Sequence, residues 1–327
     1  AHITAIWKQK GLKSSPQSYR PISLLPTLSK ICESVMHQRL LSHLTENNLI
    51  TDRQAAYMKG DSTTNQLLYL THLIRSTWAS GKIAHGLFLD VAAAFEKVWH
   101  QGLAAKLEQN GVTDSCLDLF KSYLSNRKQV VVVDGVKSHT EVINAGIPQG
   151  SRLGPLLFIL YINDIKNDLE SEILIFADDT TLIATGLDDA MTSAQITRDL
   201  AKIELWAQKW KVTFNGDKSK EMIFSKSTLQ NSIPITFCNH IVENVSVHRH
   251  LGVYLTPTLN WSFHIHQVCL RANRKLAVLR SVKQLSRSTL DLLYKLTVRS
   301  IIDYAMPVYY GNLKLSEKKR LDQIHYR

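Results

Sequence analysis

ILIFADDTTLIA, residues 173 to 184, places two adjacent carboxylates, Asp178 and Asp179, between two runs of apolar residues. The apolar runs predict two short strands that meet at the acidic pair, so that both carboxylates lie at one end of a sheet. An ionised carboxylate is costly to remove from water unless it is paired or bound to a metal ion. The pair therefore favours a ligand site, whereas an acidic β-turn without a function is the alternative that this stretch alone leaves open.

A third acid, Asp90, closes the apolar strand GLFL at residues 86 to 89. If the strand ends lie side by side, Asp90 and Asp178 form a cluster of oxygen ligands of the kind that suits Mg²⁺. Two such ions about 3.5–4 Å apart stabilise the attacking and leaving oxygens of an in-line phosphoryl displacement. A two-metal nuclease or a nucleotide cyclase would carry similar acids, so the spacing alone leaves the reaction open.

The composition favours a globular protein that binds a polyanion. Of 327 residues, 44% are hydrophobic and 20% are charged, which argues against a disordered chain. Lys and Arg outnumber Asp and Glu by 39 to 28, and the resulting charge of +11 favours nucleic acid, although an anionic membrane surface is compatible. The longest apolar run, LLFILYI at 156 to 162, is much shorter than the roughly 20 residues of a spanning helix, so no membrane is predicted as a partner.

The cysteines offer little evidence for a metal site. All four are dispersed and no C-x-x-C pair occurs, which favours a reducing compartment. The motifs Cys238-x-His240 and His264-x-His266-x-x-Cys269 fit no standard zinc-finger spacing.

The periodicity predicts alternating helices and strands before residue 257 and mostly helices after it. HGLFLDV, residues 85 to 91, predicts a strand that runs straight into a helix with Phe95, Trp99 and Leu103 on one side. Asp134-Gly135 predicts a tight hairpin turn. The other predicted helices are 27–46, one from a cap at Asp61 or Ser62 to before Gly81, 155–167 and 188–211, and further short strands are predicted near 221–224, 233–237 and 248–255.

Six sequence blocks in a fixed order carry a resemblance. They are SYRPISLLPTLSKICE (18–33), FLDVAAAFEKVWH (88–100), AGIPQGSRLGPLLFILYINDI (145–165), FADDTTLIA (176–184), NGDKSKEMIFS (215–225) and HLGVYL (250–255). Together they resemble the reverse transcriptase domain of non-LTR retrotransposons, the LINE-like elements of the jockey type. The resemblance covers roughly residues 18 to 325.

The resemblance implies an α+β fold of the right-hand polymerase type. Residues 1–85 would form fingers with an N-terminal segment, and residues 86–257 a palm with an antiparallel sheet flanked by helices and a fingers-like insertion around 111–145. Residues 258–327 would form a helical thumb and the start of a C-terminal connection.

The implied activity is RNA-directed DNA polymerisation, in which dNTPs are added to a primer 3′-hydroxyl with two Mg²⁺ ions, for which Mn²⁺ can substitute. The implied partners are an RNA template, a DNA primer and dNTPs. An upstream endonuclease domain is expected in the full element but is absent from this sequence, and nuclear action is implied by the resemblance alone.

The resemblance also assigns roles to individual residues. Asp90, Asp178 and Asp179 would hold the metal ions, and Lys218, slightly favoured over Lys220, would supply a cation at the triphosphate. Phe95 would exclude a ribose 2′-hydroxyl, and its alternative is a core aromatic. The remaining assignments are Pro148, Gln149, Gly150, Arg20 and Lys220 at the nucleotide, and His250, Leu251, Gly252, Arg271, Arg274 and Lys275 on nucleic acid.

Each assignment has a plainer alternative. PQG at 148 to 150 can be a turn, Arg20 can form a surface salt bridge, and the arginines after residue 270 can be a solvated helix face. Three positions depart from the family pattern, although none removes a metal ligand. Glu96 stands where Asp is common, QAAYMKG (54–60) replaces a Gln-Phe-Gly-Phe-Arg type of segment in the fingers, and Thr256 stands where an acid commonly follows the hairpin HLGVYL. The alternative function is therefore a catalytically decayed copy that only binds RNA or RNA–DNA hybrid.

Overall fold

The chain folds into mixed helices and strands, as the sequence predicts. The computed structural model describes residues 1–226, 232–282 and 284–325. The strands are β1 (His2–Trp7), β2 (Tyr19–Leu24), β3 (Ile83–Asp90), β4 (Arg127–Val133), β5 (Val136–Lys137), β6 (Glu141–Ile143), β7 (Glu172–Phe176), β8 (Asp179–Gly186), β9 (Lys220–Phe224), β10 (Thr236–Phe237), β11 (His240–Ile241), β12 (Glu243–Asn244), β13 (His248–His250) and β14 (Val253–Leu255).

The helices include a π-helical turn at Lys295–Arg299. They are α1 (Thr27–Glu46), α2 (Thr63–Ala79), α3 (His100–Gln109), α4 (Asp114–Leu124), α5 (Gly154–Ile162), α6 (Asp189–Trp210), α7 (Ser262–Ser281), α8 (Arg287–Tyr294), α9 (Ser300–Asp303), α10 (Met306–Tyr309) and α11 (Leu315–His325). None of the described helices is both long and apolar enough to cross a membrane.

A central sheet of five strands, in the order β12-β9-β3-β8-β7, carries the acidic motifs. Strand β8 lies between β7 and β3 and is antiparallel to both, and Phe176 pairs with Asp179 across the hairpin turn. The predicted hairpin with an acidic tip is therefore confirmed. Strand β3 ends at Asp90 as predicted, and Asp90 pairs directly with Asp179.

A second sheet joins the N-terminus to the segment after α4. Its order is β2-β1-β4-β5, and β6 pairs with the other end of β4. Strand β1 is parallel to β4, which is more than a hundred residues away in the chain. The predicted turn is confirmed, because Asp134 and Gly135 have φ values of 50° and 82° between the paired residues Val133 and Val136.

The central sheet separates two hydrophobic cores. Residues of alternating parity point to opposite faces of a strand. Leu87, Leu89 and Leu182 pack with α1, α3, α4, α5 and α6, and we call this side the helix face. Phe88 and Ile183 pack with α2, the β13–β14 hairpin and the C-terminal helices, and we call this side the hairpin face.

Helices α1 and α2 illustrate how well the sequence sets helix bounds. Helix α1 has the predicted bounds 27–46, and the hydroxyl of Ser62 caps α2 by accepting a hydrogen bond from Asn65 N–H at 3.2 Å. Apolar residues at helical spacing from Leu28 to Leu44 predict one buried face on α1, but the structure buries only Met36, Leu40 and Leu44. The N-terminal half of α1 is exposed at Leu28, Ile31, Cys32 and Val35, so that part of the prediction is wrong.

The helix predicted directly after Asp90 is also wrong. Residues 92 to 97 form turns between two isolated β-bridges at Val91 and Trp99, and α3 begins only at His100. The segment is held by other parts of the chain instead: Ala92 N–H donates to Thr213 O at 2.8 Å and Ile147 N–H donates to Phe95 O at 2.8 Å. Since these bonds come from distant residues, helical periodicity could not reveal the interruption.

Three structural observations concern the predicted domain boundaries. Position 85/86 lies within β3, which begins at Ile83. Helices α1 and α2, which fall in the predicted fingers, pack on opposite faces of the central sheet. Residues 326 and 327, at the end of the predicted thumb, lie outside the described residues.

Candidate active site

Three carboxylates meet at one end of the central sheet. Asp90 and Asp179 are directly opposite each other on β3 and β8, so their side chains leave the same face of the sheet. Their parity matches that of Phe88 and Ile183, which places them on the hairpin face. Asp178 occupies the turn beside Asp179. The structure thus brings together all three acids that the sequence singled out.

Neighbouring loops fix the strand ends that carry these acids. Asn215 N–H donates to Asp90 O at 2.8 Å, and Asp90 N–H donates to Ser219 Oγ at 3.3 Å. Ser219 is fully buried, and its neighbours in the sequence are the two candidate lysines, Lys218 and Lys220. Sequence reasoning missed Ser219 and Asn215, although both lie in the block NGDKSKEMIFS that it quoted.

Gln54 is a second positioning residue that the sequence did not reveal. Its buried side-chain oxygen accepts hydrogen bonds from Ala177 N–H at 3.1 Å and Ala56 N–H at 2.9 Å. Ala177 has a φ of 55°, which is unfavourable for a residue with a Cβ and therefore needs support from its surroundings. Gln54 thus holds the residue that precedes Asp178 in a strained turn.

The electrostatics of the cluster show an excess of negative charge. Although Asp178 and Asp179 are exposed to solvent, surrounding protein atoms remove part of their hydration. This desolvation and the charges of Asp178 and Asp90 raise the pKa of Asp179 to about 6. Desolvation and Asp90 also raise the pKa of Asp178, while the Arg20 guanidinium opposes the shift. Neutralising charge would therefore be favourable here.

The donor set fits a divalent cation. Carboxylates that repel one another are hard oxygen ligands without enough counter-charge, which is the environment that Mg²⁺ or Mn²⁺ relieves. In the described part of the chain, no three His, Cys, Asp or Glu side chains are already close enough to enclose an ion. Asp90, Asp178 and Asp179 would hold it together with water and substrate oxygens, which is how Mg²⁺ is usually bound.

The two candidate lysines occupy different environments. Lys218 Nζ lies 3.9 Å from Asp90 Oδ2, and its side chain is 69% exposed. Lys220 Nζ is bound to Glu243 Oε2 at 2.7 Å and donates to Asp217 O at 3.0 Å. Lys218 is therefore the lysine that is free to reach a substrate beside the carboxylates.

The loop around PQG is tied to its neighbours by two hydrogen bonds and a close approach. Ser23 N–H on β2 donates to Gln149 O at 2.7 Å, and Gln149 Nε2 donates to Glu96 Oε1 at 2.8 Å. Gly150 has a φ of 100°, and a Cβ there would lie 3.1 Å from Ser23 O. The Gln149 amide is thus directed towards Glu96, and Pro148 is buried. The loop lies beside β2, whose residue Arg20 is the one that acts on Asp178.

Phe95 lies between the core and the site. Its half-buried ring stacks on Phe158 of α5, with centroids 5.0 Å apart and planes at 19°. The backbone hydrogen bond from Ile147 fixes it next to the PQG loop. Both predicted roles, core aromatic and sugar filter, are therefore compatible with this position.

The predicted hairpin at 248–255 is present on the hairpin face. Phe88, two residues before Asp90, stacks on His248 with centroids 4.0 Å apart. His250 is 4% exposed, so its side chain is not available to nucleic acid, in contrast to the prediction. Burial and the charge of His248 lower the pKa of His250 to about 3, so it is neutral at pH 7. Leu251 and Gly252 form the hairpin tip.

The predicted basic residues of the C-terminal helices lie on α7. Arg274 and Lys275 are exposed, whereas Arg271 is half-buried and its Nε has no hydrogen-bond partner among the described residues. Two of the three side chains are therefore accessible to a phosphate backbone.

Comparison with known proteins identifies relatives over most of the chain. The probable RNA-directed DNA polymerase from transposon X-element of Drosophila melanogaster is 31% identical over 90% of this chain and 33% of its own length. The probable RNA-directed DNA polymerase from transposon BS of the same organism is 30% identical over 86% of this chain and 32% of its own length. The RNA-directed DNA polymerase from mobile element jockey, also from this fly, is 29% identical, over 94% and 35%. The chain thus spans about a third of the length of these relatives.

A solved structure of apo telomerase from Candida tropicalis aligns over 74% of this chain and 52% of its own, with 15% identity and a TM-score of 0.48. Likeness at this level does not decide a fold or a function. The sequence matches the family Reverse transcriptase (RNA-dependent DNA polymerase) over residues 8–255. The chain therefore belongs to the reverse transcriptase family, and its relatives include the polymerases of the jockey, X-element and BS non-LTR retrotransposons.

Proposed function

We propose that this chain is a polymerase domain that copies RNA into DNA by adding dNTPs to a primer 3′-hydroxyl. The observation that carries the proposal is the pairing of Asp90 with Asp179 beside Asp178, where crowding and mutual repulsion raise the pKa of two of the acids. Such a cluster is stabilised by cations and by the phosphates that accompany them. The net charge of +11 supports a polyanionic partner.

Bound divalent cations would supply charge neutralisation for the attacking and leaving oxygens. Asp90, Asp178 and Asp179 would hold them, and Gln54 and Ser219 would keep the two strand ends in place. Lys218 would donate to the triphosphate, where negative charge develops on the leaving group. Arg20 would bind another phosphate oxygen, since a guanidinium can donate two parallel hydrogen bonds.

Nucleic acid would lie at the end of the hairpin face that carries the carboxylates. The tip at Leu251 and Gly252 would contact the primer end, and Arg274 and Lys275 would contact backbone phosphates without reading sequence. Phe95 would stand beside the sugar of the incoming nucleotide. Gln149 would have to leave Glu96 before it could contact that nucleotide, because its amide already donates there.

Primer extension on an RNA template tests the proposal. The purified chain should incorporate dNTPs with Mg²⁺ or Mn²⁺, and Asp90→Ala or Asp178→Ala should lower the rate on the order of a thousandfold or more. Asp118→Ala is a matched control, because Asp118 is an exposed acid on α4 whose described ion pair, with Lys121, is long at 3.9 Å. Extension that survives both changes would refute the mechanism.

The same assay separates the two rival functions. Salt-sensitive binding of RNA–DNA hybrid without incorporation, with either metal, would show a decayed copy that only binds. Cleavage of the template without incorporation would show a nuclease.

A further inference from the structure

The tip of the 248–255 hairpin has an unfavourable backbone for its sequence. His250 pairs with Val253, which leaves a two-residue turn of Leu251 and Gly252 with φ values of 43° and 84°. A turn with two positive φ values prefers Asn-Gly or Gly-Gly, because a branched side chain such as Leu is strained in this region. The turn therefore depends on contacts from outside the hairpin.

Tyr304 provides those contacts from the C-terminal helices. Its hydroxyl lies 2.7 Å from Leu251 O and 3.0 Å from Thr63 Oγ1. A carbonyl only accepts, so the single phenolic proton goes to Leu251 and the Thr63 hydroxyl can donate to Tyr304. The ring also covers the turn, because a Cβ on Gly252 would lie 2.9 Å from Tyr304 Cε1. One side chain thus joins three separate segments.

The backbone that presents Tyr304 is itself fixed. Tyr304 lies at the break between α9 and α10, and the next residue, Ala305, has a φ of 53° and is buried. The hydroxyl of the fully buried Tyr309 donates to Ile302 O at 2.7 Å, inside α9. Tyr304 is therefore held by a packed turn, although 40% of its own surface is exposed.

The contact lies at the catalytic end of the sheet. Helix α2 packs against β3 and connects to it through residues 80–82, so its N-terminal residue Thr63 lies towards the end of β3 that carries Asp90. The other end of the hairpin is anchored by the stacking of His248 on Phe88. The hairpin is thus fixed at its base by β3 and at its tip by Tyr304.

We propose that Tyr304 is a positioning residue that holds the hairpin tip at the end of the sheet that carries the carboxylates and thereby places the primer 3′ end. This inference rests on the proposed polymerase function. Tyr304 lies outside residues 8–255, over which the family match extends. The residue acts on the primer rather than on the nucleotide, which separates its kinetic effect from that of the carboxylates.

The test is Tyr304→Phe in the full chain, assayed by primer extension on an RNA template. Loss of one or two neutral hydrogen bonds should raise KM for the primer–template about three- to tenfold, while kcat for the first nucleotide and KM for dNTP stay within about twofold. The extension products of Tyr304→Phe should also be shorter than those of the wild-type chain. Tyr310→Phe is the control, since Tyr310 is 38% exposed and its hydroxyl makes no hydrogen bond with the described residues.

Two results would overturn the inference: an unchanged KM for primer–template, whether or not kcat falls, or an equal effect of Tyr310→Phe. Two measurements without nucleotides distinguish failure of this inference from failure of the polymerase proposal. If the wild-type chain does not polymerise, Tyr304→Phe should still weaken binding of RNA–DNA hybrid about three- to tenfold and speed hydrogen exchange at residues 251 to 253. Unchanged binding and exchange would refute the role of Tyr304.

Discussion

The charged groups on the two faces of the central sheet differ in how they are compensated. On the side of the helix face, Lys106 is almost fully buried but forms an ion pair with Asp164 and lies 4.0 Å from the Trp210 ring centroid. The buried carboxylate of Asp199 accepts hydrogen bonds from Glu170 N–H and Ser171 N–H at 2.9 and 2.7 Å. On the hairpin face, Asp90, Asp178 and Asp179 stand together, with Lys218 3.9 Å from Asp90.

The charged groups on the helix face stabilise the fold, whereas the clustered carboxylates on the hairpin face are suited to bind a ligand. Lys106 and Asp164 satisfy each other on the helix face, so removal of Asp164 leaves Lys106 buried and uncompensated. The acids on the hairpin face repel one another. Removal of one should therefore stabilise the fold and lower the activity of the site. Charge removal should therefore have opposite effects on stability at the two faces.

The largest expected effect on stability comes from Asp164→Ala. It leaves Lys106 without its ion pair and should lower the free energy of unfolding by about 3 kcal/mol in urea at pH 7. Burial already lowers the pKa of Lys106 to about 8. Loss of Asp164 lowers this pKa further, so the part of the defect that comes from the Lys106 charge should shrink as the pH rises towards 8 and be absent above about pH 9, where Lys106 is neutral in both folded proteins. A loss no larger than that of Asp118→Ala would contradict the comparison.

Phe95→Val tests whether the Phe95 ring acts at the active site or only in the core of the helix face. The change removes a ring that stacks on Phe158 and, in our proposal, excludes a 2′-hydroxyl. Discrimination between dNTP and rNTP, measured as the ratio of kcat/KM values, should fall about tenfold or more. Phe158→Leu, which alters the same stack from the core side, is the control. Equal loss of discrimination in both variants, or none in Phe95→Val, would leave Phe95 a core residue only.

Lys218→Ala and Lys220→Ala compare a free lysine with a paired one. Loss of Lys218 should lower kcat for nucleotide addition about tenfold, because an exposed cation beside the carboxylates no longer reaches the triphosphate. Lys220 is bound to Glu243, so its loss should change kcat less than about threefold. The reverse order, measured by single-nucleotide kinetics, would assign the role to Lys220.

The smallest expected effect is a gain in stability from Asp179→Asn. The raised pKa of Asp179, about 6, means that its ionised form is less favourable in the folded state than in the unfolded state. Because Asp179 is exposed, we expect a gain of only about 1 kcal/mol. The gain should be complete above pH 6 and vanish below about pH 4, where both states are protonated. A loss of stability at pH 7.5 in chemical denaturation would contradict it.

Local sequence predicted the elements of this protein well. The bounds of α1, the Ser62 cap of α2 and the Asp134-Gly135 turn all depend on residues within a few positions of one another. The failures involve distant partners. The irregular segment after Asp90 is held by Thr213 and Ile147, and the exposed half of α1 has no neighbouring element to cover it among the described residues.

The site divides in the same way. The acids themselves could be found, because carboxylates at the ends of apolar strands are costly without a ligand. Gln54, Ser219 and Tyr304 could not, because each acts through a hydrogen bond to backbone that is remote in the chain. The buried position of His250 likewise depends on packing against Phe88.

The sequence by itself determined strands β3, β7, β8 and β9, the turn chemistry and the identity of the three carboxylates, whereas it did not predict β1 and β2. Alternation and conformational preference are properties of adjacent residues. Only the tertiary structure decided that Asp90 lies opposite Asp179, that Lys218 rather than Lys220 is free, and that Tyr304 reaches the hairpin tip. These outcomes depend on the register of strands and on the direction of side chains across long separations. No local pattern encodes them, because the free energy that selects them belongs to the packed molecule as a whole.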